Sequence, residues 1–215
     1  MALEIEHALE SWCAEGRRCF GQILVERSGK SSYLLCHRED AARNDLTTSR
    51  NAEDAVGIAK FDDAEKYRPL KTAPNLRHGW RLELGDSRAL RHALDLFYPG
   101  RLAMFFTFER GRRRATSLRE TLERQTGMYR VAVKISDAEV DQLVGNFCRS
   151  NGGCLRTILW KRDVRGAIAS TKLPPEKFDP VFDQTGRGES CIPLLCQEAC
   201  NLLVNAAREV VRREP

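Results

Sequence analysis

The chain has 215 residues, 42% of them apolar and 30% charged, and a formal net charge of +5. That balance supports an ordinary packed core and excludes both wholesale disorder and a strongly charged polyelectrolyte. The length suits one large domain or two small ones.

From the N-terminus, Met1 to Glu10 carries three glutamates and no basic residue, the wrong polarity for a secretory signal. Cys19 to His37 predicts a β-hairpin: Ile23-Leu24-Val25 and Tyr33-Leu34-Leu35 flank a Ser28-Gly29-Lys30 turn. A polar loop is expected over Asn44 to Asn51, a short helix over Glu53 to Lys60, and an irregular basic stretch over Tyr67 to His78, broken by Pro69 and Pro74. Trp80 to Leu84 alternates as a half-buried strand, and Asp86 is placed to cap a helix whose Leu90, Leu94 and Phe97 share one face. Pro99 opens a helix over Arg101 to Glu109, followed by the basic run Arg110-Gly111-Arg112-Arg113-Arg114. This run reads as a solvated interdomain loop or as an anion site. A boundary is expected there, giving an α+β domain over 1–115 and a mainly helical domain over 116–215.

In the second domain, capping boxes at Ser117/Glu120 and Ser136/Glu139 open two helices, the second ending near Cys148. Cys154 to Trp160 reads as a strand or a short buried segment, and a helix is expected from about Pro193 to Arg212. The longest apolar runs, Leu102 to Phe106 and Ile192 to Cys196, are far short of the roughly 20 residues that cross a membrane. The expected location is therefore the reducing cytoplasm, where thiols are more often metal ligands or buried apolar groups than disulfides.

Cys13, Cys19 and Cys36 are scattered through the front and read as structural. Five more follow after a long gap: Cys148, Cys154, Cys191, Cys196 and Cys200. On the expected last helix Cys196 and Cys200 share a face near the positive helix start, which favours thiolates. With Cys148 and Cys154 they make a four-thiolate set, Cys148-x5-Cys154-x41-Cys196-x3-Cys200, suited to an iron–sulfur cluster or structural zinc. Cys191 is a substitute candidate. Arg149, Arg156, Lys161 and Arg162 lie close in sequence and would offset the negative charge of a cluster. His7, His37, His78 and His92 lie far apart and show no metal-binding spacing, so they read as surface or packing residues. No nucleophile elbow, phosphate loop or dinucleotide fingerprint is present, so no self-contained active site is expected.

Long stretches carry a family resemblance: Phe61 to Leu76, Leu96-Phe97-Tyr98-Pro99, Leu118 to Arg130, Cys154-Leu155-Arg156 and Ile192 to Asn201. They resemble a bacterial module in which a stabilising domain precedes a [4Fe-4S] cluster-binding domain. Some members carry it C-terminal to a CbiX-type sirohydrochlorin chelatase, an enzyme of cobalamin or sirohaem synthesis. The resemblance implies that Cys148, Cys154, Cys196 and Cys200 hold the [4Fe-4S] cluster. It implies an accessory protein, here as a stand-alone chain, acting in electron transfer, redox sensing or support of a separate chelatase or redox partner. Anionic tetrapyrroles would be matched in charge by Arg110 to Arg114. The alternative is a nucleic-acid-binding protein held by structural zinc, against which stand the even spread of basic residues and the lack of a recognition motif.

Overall fold

The structure, a computed structural model, describes residues 2–61, 63–66, 76–110, 127–143, 156–158, 190–192, 194–196 and 201–213. The elements of the front half are α1 (Ala2–Ala14), β1 (Arg18–Phe20), β2 (Ile23–Arg27), β3 (Tyr33–His37), a 3-10 turn (Arg38–Asp40) and β4 (Thr47–Ser49). They continue with α2 (Asp54–Lys60), β5 (Trp80–Leu84), α3 (Ser87–Phe97) and α4 (Arg101–Glu109). The back half holds α5 (Tyr129–Ala132), α6 (Asp137–Leu143), β6 (Arg156–Ile158), β7 (Ser190–Ile192), β8 (Leu194–Cys196) and α7 (Asn201–Arg213). The fold is α+β, in two compact units: Met1–Phe106 with Val181–Leu194, and Thr107–Pro180 with Leu195–Pro215.

The first unit is built on a mixed six-stranded sheet of order β4-β5-β3-β2-β1-β7. The expected hairpin is β2 and β3, antiparallel with Val25 opposite Leu35, and its turn is closed by the Ser28 amide donating to the Ser32 carbonyl at 2.9 Å. β3 runs antiparallel to β5, where period-two alternation buries Tyr33, Leu35 and His37 beside Trp80, Leu82 and Leu84. The polar loop expected over 44–51 contains β4, paired parallel with β5 at the sheet's edge. Three hydroxyl residues, Thr47-Thr48-Ser49, give no apolar pattern, so only the neighbouring strand defines this one.

Helices supply the apolar cover. α1 buries Ile5, Leu9 and Cys13 at four-residue intervals and contacts β2 and α3. Asp86 caps α3, accepting from the Ala89 amide at 2.7 Å, and α3 buries Leu90, Ala93, Leu94 and Phe97. Full burial of each Leu is worth roughly 1.5–3 kcal/mol. Phe97 meets Trp80 of β5 with ring centroids 5.0 Å apart. The last strand of the sheet comes from far along the chain: β7 lies parallel to β1, with Cys19 opposite Cys191.

In the second unit, α7 packs on α5 and α6. Met128, Ala132 and Ile135 are buried there, as are Leu203, Val204 and Ala207 of α7. The Ser136 capping box forms as the sequence predicts. The Ser136 amide donates to the Glu139 carboxylate at 2.7 Å, and the Glu139 amide donates to the Ser136 hydroxyl at 3.3 Å. The box at Ser117/Glu120 and the helix end near Cys148 lie outside the described residues. β6 and β8 form a two-stranded sheet. The helix expected from Pro193 is thus shorter at its start: Leu194–Cys196 is a strand and α7 begins at Asn201. Local periodicity over Leu194-Leu195-Cys196 suits either state, and cross-strand hydrogen bonding to β6 selects the extended one.

Candidate metal centre

Two of the front cysteines, Cys13 and Cys36, are thiols rather than thiolates. Cys13 is buried, and desolvation pushes its pKa up to about 12, against a smaller lowering by Arg18 and Arg27. Cys36 is likewise pushed up to about 11 by burial, despite Arg81. Cys19 and Leu24 are buried in a small cluster with Cys36 and Ala41 packed against it. A thiol that stays protonated through the physiological range is a poor metal ligand, so Cys13 and Cys36 serve packing, as the sequence suggests.

Of the back cysteines, Cys148, Cys154 and Cys200 lie outside the described residues. Cys191 is the middle residue of β7 and Cys196 the last of β8. β6 begins two residues after Cys154 in sequence and is hydrogen-bonded to β8, while α7 starts directly after Cys200. The helical-face argument that paired Cys196 with Cys200 does not hold, because Cys196 belongs to a strand. The donor chemistry fits a [4Fe-4S] cluster nonetheless: five thiols are concentrated in this part of the chain, and such clusters take four cysteine thiolates.

A second constellation escaped sequence reasoning. The end of β3 and the residues leading into β5 bring His37 and His78 together, with ring centroids 4.0 Å apart and planes at 55°. Asp40, nearly fully buried, accepts from the Gly79 amide at 2.7 Å and from Arg43 at 3.3 Å, and meets His78 Nδ1 at 3.2 Å. Burial pushes the Asp40 carboxyl up, but these partners together outweigh it and hold it below the ordinary range. Burial, reinforced by His78, pulls His37 down to about 4. Forty residues separate the two imidazoles, so no spacing motif announces them; the sign available in sequence is a histidine closing an apolar strand.

No helix among the described residues is long and apolar enough to cross a membrane. Arg110 is exposed at the end of α4, and Arg112 to Arg114 lie outside the described residues.

Comparison with known proteins agrees with the thiol distribution. Residues 110–209 match the model of a 4Fe-4S iron-sulfur cluster binding domain, and residues 5–109 match that of the DR2241 stabilising domain. Among curated proteins none matches the chain. A similar solved structure is that of DR2241 from Deinococcus radiodurans, described as a multi-domain protein with structural similarity to chelatases but also with two additional novel domains. The TM-score is 0.68 at 29% identity, and the match covers 99% of this chain and 42% of that one. The chain thus carries a DR2241 stabilising domain followed by a 4Fe-4S iron-sulfur cluster binding domain.

Proposed function

We propose that this chain is an iron–sulfur accessory protein supporting a CbiX-type tetrapyrrole chelatase, with Cys148, Cys154, Cys196 and Cys200 as its cluster ligands. The observation that carries this reading is the match of nearly the whole chain to part of a multi-domain, chelatase-like protein, combined with the match of its second half to a cluster-binding domain. A bound cluster supplies one-electron redox chemistry, or a rigid tie between the segments that ligate it. The chain's own part is to present four thiolates and to offset their charge with Arg149, Arg156, Lys161 and Arg162. Sirohydrochlorin-type substrates are polycarboxylates, and the arginines from Arg110 to Arg114 suit either such a ligand or an acidic chelatase surface.

Anaerobic purification with iron, sulfide and zinc analysis tests the ligand set. The parent should hold about four irons and four sulfides per chain. Cys196→Ala and Cys200→Ala should lose them, and Cys191→Ala should keep them. Stoichiometric zinc in a colourless parent defeats the assignment. For the partner, alanines at Arg112, Arg113 and Arg114 should weaken binding to a CbiX-type chelatase and flatten its salt dependence. Unchanged affinity at low salt rejects the arginine run as a docking element.

A further inference from the structure

We propose that His37, Glu39 and His78 form a second metal site in the first unit, one that takes a divalent ion of the zinc class and shares no residue with the thiol set. One ligand atom from each of the three lies within 4.8 Å of the others. The fold makes this convergence. β3 ends on His37, the 3-10 turn that follows carries Glu39 and Asp40, and the antiparallel partner β5 is entered through His78 and Gly79.

Three features distinguish the cluster from a chance meeting of surface groups. His37 is 1% exposed, and its Nε2 has no hydrogen-bond partner among the described residues, an arrangement costly for a buried polar atom. His78 points Nδ1 at the Asp40 carboxylate, at 3.2 Å, and Asp40 is itself fixed by the Gly79 amide. In the neutral ring this hydrogen bond places the proton on Nδ1 and leaves the Nε2 lone pair for a ligand, the carboxylate–histidine–metal pattern that orients metal-binding histidines. That Nε2 lies 3.9 Å from Glu39 Oε2, beyond hydrogen-bonding range and spaced for an ion to sit between them after a modest contraction.

His37 can ligate through either nitrogen. Its Nδ1 now accepts a long 3.3 Å bond from the Glu39 amide. Coordination at Nε2 satisfies the orphaned atom and moves the ring proton to Nδ1 at the expense of this one contact, whereas coordination at Nδ1 replaces the contact and leaves Nε2–H buried without a partner among the described residues. Two imidazoles and one carboxylate select a borderline ion over calcium or magnesium, which prefer all-oxygen shells. Three protein ligands leave a fourth position for water or an exchangeable ligand. Glu39 is on the surface and His78 partly so, which gives the ion a path in.

The test uses the full chain, loaded anaerobically with its cluster so that the thiols are occupied, and one equivalent of zinc chloride. Zinc-edge X-ray absorption should show nitrogen and oxygen neighbours at about 2.0–2.1 Å. Competition with a chromophoric chelator should show at least a tenfold loss of zinc affinity in Glu39→Gln and His78→Gln, with iron content unchanged. Because the Glu39 side chain is 59% exposed, its substitution leaves the sheet intact and decides the matter even where a histidine variant fails to fold. A sulfur shell at about 2.3 Å, zinc that passes straight through a desalting column, or equal affinity in parent and Glu39→Gln each overturns the proposal.

Discussion

Cys13 shows how burial decides what a cysteine side chain can do. Cys13 faces the core from α1 with 1% exposure, and its thiol ionises near pH 12 instead of its ordinary 9. Since the thiolate is the nucleophile, its fraction at pH 8 is about a thousandfold below that of an unhindered thiol. Alkylation of the native chain followed by peptide mass spectrometry should leave Cys13 unmodified until denaturant is added. Modification at the denatured rate removes the buried-thiol reading. The same displacement carries a pH dependence. The unfolded thiol loses its proton near pH 9 and the folded one near 12, so the associated stability is whole below 9 and is lost as pH rises toward 12. Denaturant titrations of the isolated variant Cys13→Ala should show a shallower alkaline loss than the parent.

At the scale of elements, the sequence is informative wherever the determinant is local. Asp86 and Ser136/Glu139 announce helix starts because the donor they satisfy lies within three residues, and the Ser28 turn announces its hairpin for the same reason. Asp86→Ala should accordingly cost about 1 kcal/mol, read as a lower denaturant midpoint with an unchanged slope. β4 and β8 were not legible, since each owes its extended state to a partner strand remote in sequence. The meeting of His37 and His78 is hidden by the same distance. Their relation is set by the pairing of β3 with β5, whereas the cysteine-rich back of the chain was legible from composition alone. Gly21 between β1 and β2 shows how closely such remote partners fit. Its φ is +59°, and a Cβ there would lie 2.9 Å from Leu194 Cδ1 and 3.0 Å from the Tyr98 ring. Gly21→Ala should cost about 2 kcal/mol: left-handed backbone alone accounts for 1–2, and the contacts add to it. A thermal midpoint equal to the parent's contradicts that packing.

For the molecule as a whole, the two units are not two consecutive lengths of chain. The sheet of the first is finished by β7, from residues 190–192, which pairs with β1 through Arg18↔Ser190, Cys19↔Cys191 and Phe20↔Ile192. One residue later β8 begins, ending on Cys196, so the strand that closes the first sheet runs directly into the segment that carries a candidate ligand. A fragment of residues 1–110 contains every other strand of that sheet but leaves β1 as an edge, its outward N–H and C=O groups unpaired. It also lacks Leu194, whose burial is worth roughly 1.5–3 kcal/mol. Closing the long loop that delivers β7 costs little more than closing a moderate one, because loop entropy grows only with the logarithm of length. The fragment should therefore unfold at a lower temperature than the same unit in the full chain and self-associate as concentration rises. A peptide of residues 181–196 added in trans should raise its midpoint in a dose-dependent way, while a scrambled peptide should not. If the fragment alone matches the full chain's first unit and exchanges its β1 amides equally slowly, β7 is an ornament on the sheet rather than part of its support.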